Sequence, residues 1–184
     1  MKPVYEDKHY NLVVECKSGS QSAHYQLYKL YSKAMYNIAL KIVNDENEAA
    51  DVLQESFIDA FTRLVDFRHE ISFGLWLKQI IVHHAIQQLR KRKNIIPFND
   101  IDVEEIPDID DLDEDELQNN VQEVRDAIRL LPDGYRVILS LYLLEGYDHE
   151  EIAYILKITE STSRSQLARG KRKLLELLKE GKGN

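Results

Sequence analysis

Between Asn99 and Glu123 the chain carries twelve acidic residues and no lysine or arginine. Charges of one sign at this density cannot be gathered into an apolar interior, and their mutual repulsion favours an extended chain. Pro97 and Pro107 further discourage a helix there. Residues 96–116 are therefore expected to be a flexible acidic linker, with one folded domain before it (1–95) and another after it (117–184). The same run explains the formal net charge of −8. Of the 32 acidic residues twelve lie in this segment, so the rest of the chain sets 24 basic residues against 20 acidic ones and is mildly basic.

Both flanking domains read as helical. Seven glycines and four prolines are few for 184 residues, and 43% of the chain is apolar, enough for globular interiors. A short helix is expected near 9–18, closed by Ser18-Gly19-Ser20. From Gln21 to Val43 apolar residues recur at three- and four-residue steps through Leu27, Leu30, Tyr31, Met35, Ile38 and Ile42. Asn44 or Asp45 is placed to cap a helix over 46–66. Its apolar face carries Ala49, Val52, Leu53, Phe57, Ala60 and Leu64, while Asp51, Gln54, Glu55, Ile58 and Thr62 lie towards another face. A further helix over 73–93 opens with Phe73 and Trp76 and ends in four consecutive basic residues. Beyond the acidic run, helical spacing resumes at Leu117 and stops at the turn Pro132-Asp133-Gly134. Tyr135 to Leu144 reads as a buried helix ended by Gly146. The expected fold class is all-α.

Composition also narrows the setting. A single cysteine, Cys16, excludes an internal disulfide and fits a reducing compartment. With no basic neighbour or histidine placed to activate it, its thiol reads as interior packing. No apolar run approaches the roughly 20 residues that span a bilayer, and the N-terminal "MKPVYEDKHY" lacks the apolar stretch of a signal peptide. The expectation is a cytoplasmic protein with no membrane insertion.

Near the C-terminus, "DHEEIAYILKITESTSRSQLARGKRKLLELL" combines two helices. Asp148 can cap the first, and Thr159 the second, after the three-residue turn Lys157-Ile158-Thr159. Two helices so joined, with the small Ala153 at their crossing, describe a helix-turn-helix. On the second helix Thr162, Arg164, Ser165, Gln166 and Arg169 read as a polar side, with Leu167, Leu174 and Leu175 inward. Short hydroxyls and amides beside arginine suit base edges in a major groove, and Lys171, Arg172 and Lys173 suit phosphates. The alternative is a solvated basic face with no ligand. Lys157 stands where such turns often carry glycine, and Ser163 where an apolar residue often packs inward.

The two halves together resemble one family. "DVLQES" within residues 24–61, followed by "FGLWLKQIIVHHAIQQLRKRK", is similar to the conserved helices of RNA polymerase sigma factors of the extracytoplasmic-function (ECF) group. "PDGYRVILSLYLLEGYDHEEIAYILKITESTSRSQLARGKRKL" resembles their promoter-binding domain. The resemblance covers about 20–93 and 117–178 and implies a sigma-two-like helical bundle followed by a sigma-four-like helix-turn-helix domain. It implies that Asp51, Gln54 and Glu55 dock the beta-prime coiled coil of core RNA polymerase, with the beta flap as a second polymerase contact. Like charges one turn apart, as in Asp51 and Glu55, do nothing for an isolated helix, so a basic partner would account for them. A merely solvated face is one alternative. Another is a carboxylate metal site of Asp51, Glu55 and Asp59, which lacks a histidine on that helix.

Promoter melting is implied for the loop and helix from Arg68 to Arg92. Its exposed candidates, with Arg63 before it, are Arg68, His83, Gln87, Arg90, Lys91 and Arg92. Phe73 and Trp76 could stack on unpaired bases, but Leu77 and Ile80 continue their face and assign them to the interior. His83 and His84 point about 100° apart on a helix, so no metal site is read there. Further expected partners are promoter DNA and an anti-sigma factor or other regulator.

Three functions compete at this stage. A sigma factor uses both domains together with the polymerase. A stand-alone helix-turn-helix regulator needs only the second domain and binds duplex DNA unaided. An enzyme needs a reactive constellation, and the sequence offers no phosphate-binding glycine loop, nucleophile elbow or metal cluster. No catalytic residue, metal or cofactor is expected. The linker reading predicts that limited proteolysis cuts first within 96–116 and releases two fragments that each remain helical by circular dichroism. Uniform resistance across that segment would contradict it.

Overall fold

The computed structural model describes residues 7–92 and 121–181, and every regular element among them is helical. The chain divides into two compact units, Met1–Lys91 and Arg92–Asn184. The expected linker, 96–116, and the expected helix start at Leu117 lie outside the described residues.

The first unit contains α1 (Tyr10–Lys17), α2 (Gln21–Val43), α3 (Glu46–Thr62) and α4 (Phe73–Lys91), with one turn of 3₁₀ helix at Leu64–Asp66. Helices α2, α3 and α4 pack on one another, and α1 packs on α2. Leu27, Ile42, Phe73, Leu77, Ile81 and Leu89 are fully or almost fully buried at their junction. Ala39, Ala49, Ala60 and Ala85 are completely buried, and side chains this small let helix backbones approach closely. Cys16 is buried too, and that burial pushes its thiol up to about 11. It is packing and not a reactive thiol.

The turn between α2 and α3 divides its two polar residues between two tasks. Asn44 closes α2 in the left-handed region (φ 55°), its N–H donating to Leu40 O at 2.8 Å. Asp45 caps α3 by accepting from Glu48 N at 2.9 Å. Helix α3 ends at Thr62, earlier than the spacing suggests, and the chain tightens into the 3₁₀ turn that still buries Leu64. Helix α4 is capped locally by Ser72 Oγ, which accepts from Leu75 N at 3.1 Å, and from a distance by Asp7 Oδ2, which accepts from Phe73 N at 2.8 Å. Lys17 Nζ donates to Phe67 O at 2.6 Å, tying α1 to the loop before α4.

The second unit contains α5 (Val121–Arg129), α6 (Asp133–Leu139), a π-helical turn (Ser140–Leu144), α7 (His149–Leu156) and α8 (Glu160–Gly181). Tyr135–Leu144, expected as one helix, is thus an α-helix that widens into a π turn, with Glu145 N donating to Ser140 O. Gly146 follows at φ 75°, as a chain reversal after a helix requires. Asp148 and Glu151 make a reciprocal capping box on α7. Thr159 Oγ1 accepts from Thr162 N at 3.0 Å and caps α8. Lys157 takes the left-handed conformation (φ 57°) that glycine would adopt more cheaply, and its cation sits at the C-terminal end of α7. Ile152, Leu156, Leu167 and Leu174 join Val137, Leu139 and Leu141 inside.

Arg136 is buried on α6, its guanidinium 2.7 Å from Asp133 Oδ1 and donating to Leu131 O at 3.3 Å. Nearby, α8 meets α6 at Gly170, where an added Cβ would lie 3.3 Å from Leu139 Cδ1 and 3.5 Å from Tyr135 Cβ. Gly170→Val should overpack this crossing and lower the stability of the second unit by about 1–3 kcal/mol. Urea unfolding followed by tyrosine signals from that unit, with Trp76 reporting an unchanged first unit, checks it.

Candidate nucleic-acid interface and docking face

On α3 the stripe left outside the bundle contains Asp51, Gln54 and Glu55, all exposed, and continues through Ile58, which is 61% exposed. The buried positions Val52, Leu53, Ser56, Phe57 and Ala60 turn the acids outward. The face is therefore acidic at one end and apolar at the other. Asp59, one turn beyond Glu55, is held by Arg63 Nη1 at 3.2 Å and by His84 Nε2 of α4 at 3.2 Å. His84 Nδ1 also lies 3.8 Å from Glu55 Oε2. A shallow groove between α3 and α4 thus brings Glu55, Ile58 and Asp59 together with Arg63, His83 and Gln87.

The residues read as candidates for melting are placed as follows. Arg63, Arg68, His83, Gln87, Arg90 and Lys91 are exposed, and Arg92 is half-buried. Phe73 is fully buried, and Trp76 is half-buried against the Phe67 ring at 4.9 Å between centroids. Among the described residues no group of three histidine, cysteine or carboxylate side chains forms a metal-binding arrangement.

Helix α8 corrects part of the sequence reading. Thr162 (9% exposed) and Gln166 (8% exposed), expected on the DNA-facing side, are buried together with Ser163, Leu167, Gly170 and Leu174. The reason is geometric. The row 162-166-170 lies beside the row 163-167-174 on the helix surface, so the buried stripe is wide enough to take both. Thr162 is further engaged at the cap, its hydroxyl 2.8 Å from that of Thr159. Arg164 and Ser165 lie on the outward side, with Arg172 two turns further along; Arg164 and Arg172 are exposed. Arg169 and Lys171 are half-exposed at the margins, and Lys173 is exposed with Nζ 3.0 Å from Glu176 Oε2. The outward side also includes Ser161 and Ala168, whose small side chains carry no charge that would mark them in the sequence.

The contact of α7 with α8 is polar at one point. His149 Nδ1 and the Ser163 hydroxyl share a 2.9 Å hydrogen bond, and the His149 ring stacks on Tyr142 at 4.9 Å. Burial lowers the pKa of His149, and the cations of Arg164 and Lys171 add to this against the opposing carboxylates of Asp148 and Glu160.

Comparison with known proteins follows the same division of the chain. Residues 27–95 match the family described as sigma-70 region 2, and residues 121–174 match sigma-70, region 4. The ECF RNA polymerase sigma factor SigX of Bacillus subtilis is 32% identical over 164 residues, 84% of this chain and 84% of that protein. The ECF RNA polymerase sigma-E factor of Haemophilus influenzae is 31% identical over 170 residues, covering 87% of this chain and 89% of its own. A solved structure of the sigma factor RpoE of Bartonella quintana, in complex with the anti-sigma factor NepR, shares the fold with a TM-score of 0.55 at 23% identity, over 84% of this chain and 95% of that one. A stand-alone regulator would share the second region and not the first. With both regions matched in order and about a third of its residues shared with such relatives over most of its length, this chain belongs to the ECF group of RNA polymerase sigma factors.

Proposed function

We propose that this protein is a non-catalytic specificity subunit that docks on core RNA polymerase through α3 and reads promoter DNA through α8. One observation carries the reading: the two units expose faces of opposite sign, acidic on α3 at Asp51 and Glu55 and basic on α8 at Arg164, Arg172 and Lys173. The acidic face suits a basic partner helix, and its beta-prime coiled coil is the polymerase element the family resemblance names. Gln54 adds an amide that can donate and accept at the same contact. On α8, Arg164, Ser165 and the marginal Arg169 are the base readers. Arg172, Lys173 and Lys171 hold phosphates. Arg63, Arg68, His83, Gln87, Arg90, Lys91 and Arg92 form the surface for the opened promoter strand, where cationic side chains track a backbone. The complex of the sigma factor RpoE with the anti-sigma factor NepR supports a regulator of that kind for this chain.

Titration of fluorescent full-length protein with core polymerase, followed by promoter binding of the holoenzyme, tests the assignment. Glu55→Lys should weaken polymerase binding by about tenfold or more with helicity and melting temperature unchanged. Arg164→Ala should cost about 1–3 kcal/mol and relax preference at one or two base pairs. Arg172→Ala should weaken all sequences alike and make the salt slope shallower by about one unit. Unaltered polymerase affinity in Glu55→Lys, or equal salt slopes and preferences in the two arginine variants, would remove the corresponding face from the mechanism.

A further inference from the structure

We propose that His149 and Ser163 form a latch, backed by the Tyr142 ring, that fixes the rotation of α8 and so positions its base-reading residues; the inference rests on the DNA-reading role of α8. Helix-turn-helix pairs can be closed by apolar contacts alone, and those tolerate small rotations. Here the residue at the crossing is a serine with no exposed surface. A buried hydroxyl is costly without a partner, and its partner is the ring of the first residue of α7, 2.9 Å away. Hydrogen bonds are directional. A rotation of α8 by about 20° would carry a hydroxyl about 4 Å from its axis sideways by about 1.4 Å, enough to lengthen and misalign the bond.

The ring that holds Ser163 is itself held. Tyr142, in the π turn, stacks on His149 with the planes 27° apart. Lys171 Nζ lies 5.9 Å from the centroid of the same tyrosine ring. Helix α8 is thus attached at Ser163 and again at Lys171, two turns further along, to one aromatic pair. Arg164, next to Ser163, inherits its direction from that attachment. Lys171 is accordingly a tether as well as a phosphate contact. Ser163 is buried and His149, half-buried, is engaged by it and by the Tyr142 ring, so both are positioning residues and not readers.

The charged groups around the ring are Arg164, Glu160 and Lys171 from α8 and Asp148 before α7. Burial first, then Arg164, lowers the pKa of His149 from its ordinary value of 6.5. The sign follows from linkage: the contribution to stability is complete above about pH 6.5, where the ring is neutral folded and unfolded, and declines as the pH falls towards the lowered folded value.

The test compares wild type, His149→Phe, Ser163→Ala, the double variant and Arg164→Ala as full-length protein loaded on core polymerase. The probe is the duplex that wild-type holoenzyme enriches from a randomised pool, set against a scrambled duplex of the same composition. His149→Phe keeps the stack on Tyr142, and the double variant leaves no buried polar group without a partner, so it folds. Preference for the enriched duplex should fall about tenfold, the share of one base contact, in both singles and no further in the double. Affinity for the scrambled duplex should not change. Thermal melting of the free chain between pH 6.5 and 5.5 should show a shallower decline in His149→Phe than in wild type.

Several results would overturn the latch. Full preference in the double variant, with the singles impaired, would mean that only an unpartnered polar group had been penalised. Full preference in all three while Arg164→Ala loses it would discard the latch and keep α8 as reader. Full preference in Arg164→Ala as well would discard both readings. Equal pH slopes in wild type and His149→Phe would dispose of the buried ring contact itself.

Discussion

A helix in this protein can bury only one stripe of its perimeter, and the side left over is where it can meet a partner. In α3 the buried stripe of Val52, Leu53, Ser56, Phe57 and Ala60 leaves Asp51, Gln54, Glu55 and Ile58 outside. In α8 the stripe from Thr162 to Leu174 leaves Arg164 and Arg172 outside. The energetics of folding and the geometry of recognition are therefore one problem. Burying an aliphatic side chain contributes about 1.5–3 kcal/mol, far more than the exposed charges opposite it contribute to stability. The interior sets the rotation of each helix, and the functional face follows passively. Gly170 illustrates the dependence, since a Cβ added there would press on Leu139 of α6 at 3.3 Å.

Polar contacts across long stretches of chain then fix what apolar packing leaves loose. Asp7 accepts from the first N–H of α4, sixty-six residues away, and Lys17 reaches the carbonyl of Phe67. Those two contacts bind α1 to the loop carrying Arg68 and to the start of the helix carrying His83, Gln87 and Arg90. In the second unit the corresponding polar contact is local: buried Arg136 holds Asp133 and Leu131 O, three and five residues back. A buried guanidinium is strongly destabilising if its partner is lost, so Asp133 is bound to it structurally rather than free for a ligand.

Much of this was legible in the sequence where the signal was local. The bounds of α2, the capping residue Asp148 and the cap at Thr159 each depend on residues within four positions and are where the spacing places them, and the cap of α3 falls on Asp45, one of the two residues the spacing offers. The exposed stripe of α3 followed from periodicity alone. What escaped depends on neighbours distant in the chain. Periodicity gives the direction of a stripe and not its width, so Thr162 and Gln166 were read as outward when the stripe reaches them. The apolar spacing of Tyr135–Leu144 gives no sign of the π turn at Ser140–Leu144, which packs against the preceding α6 and against α7. His84 was dismissed with His83 as a metal pair, yet it engages Asp59 and approaches Glu55 from the facing helix. Ser163 was noticed as out of pattern, but its meaning needed His149, fourteen residues earlier.

Several of the cations on the exposed faces of the two units are already occupied. Arg164 Nη2 lies 2.9 Å from Glu160 Oε2, Lys173 Nζ lies 3.0 Å from Glu176 Oε2, and Arg63 Nη1 lies 3.2 Å from Asp59 Oδ2. The first two are exposed pairs within α8, of a kind that contributes little to stability. A bond that weak restrains a long side chain near the helix surface without committing it. Exchanging the carboxylate for a phosphate or a base edge then forfeits little. At physiological salt fields fade over about 8 Å, so a partner responds to these few groups and not to the net charge of −8. An acidic chain can present a basic surface because fields are local, and the intrahelical carboxylates of Glu160 and Glu176 hold Arg164 and Lys173 close to the surface of α8.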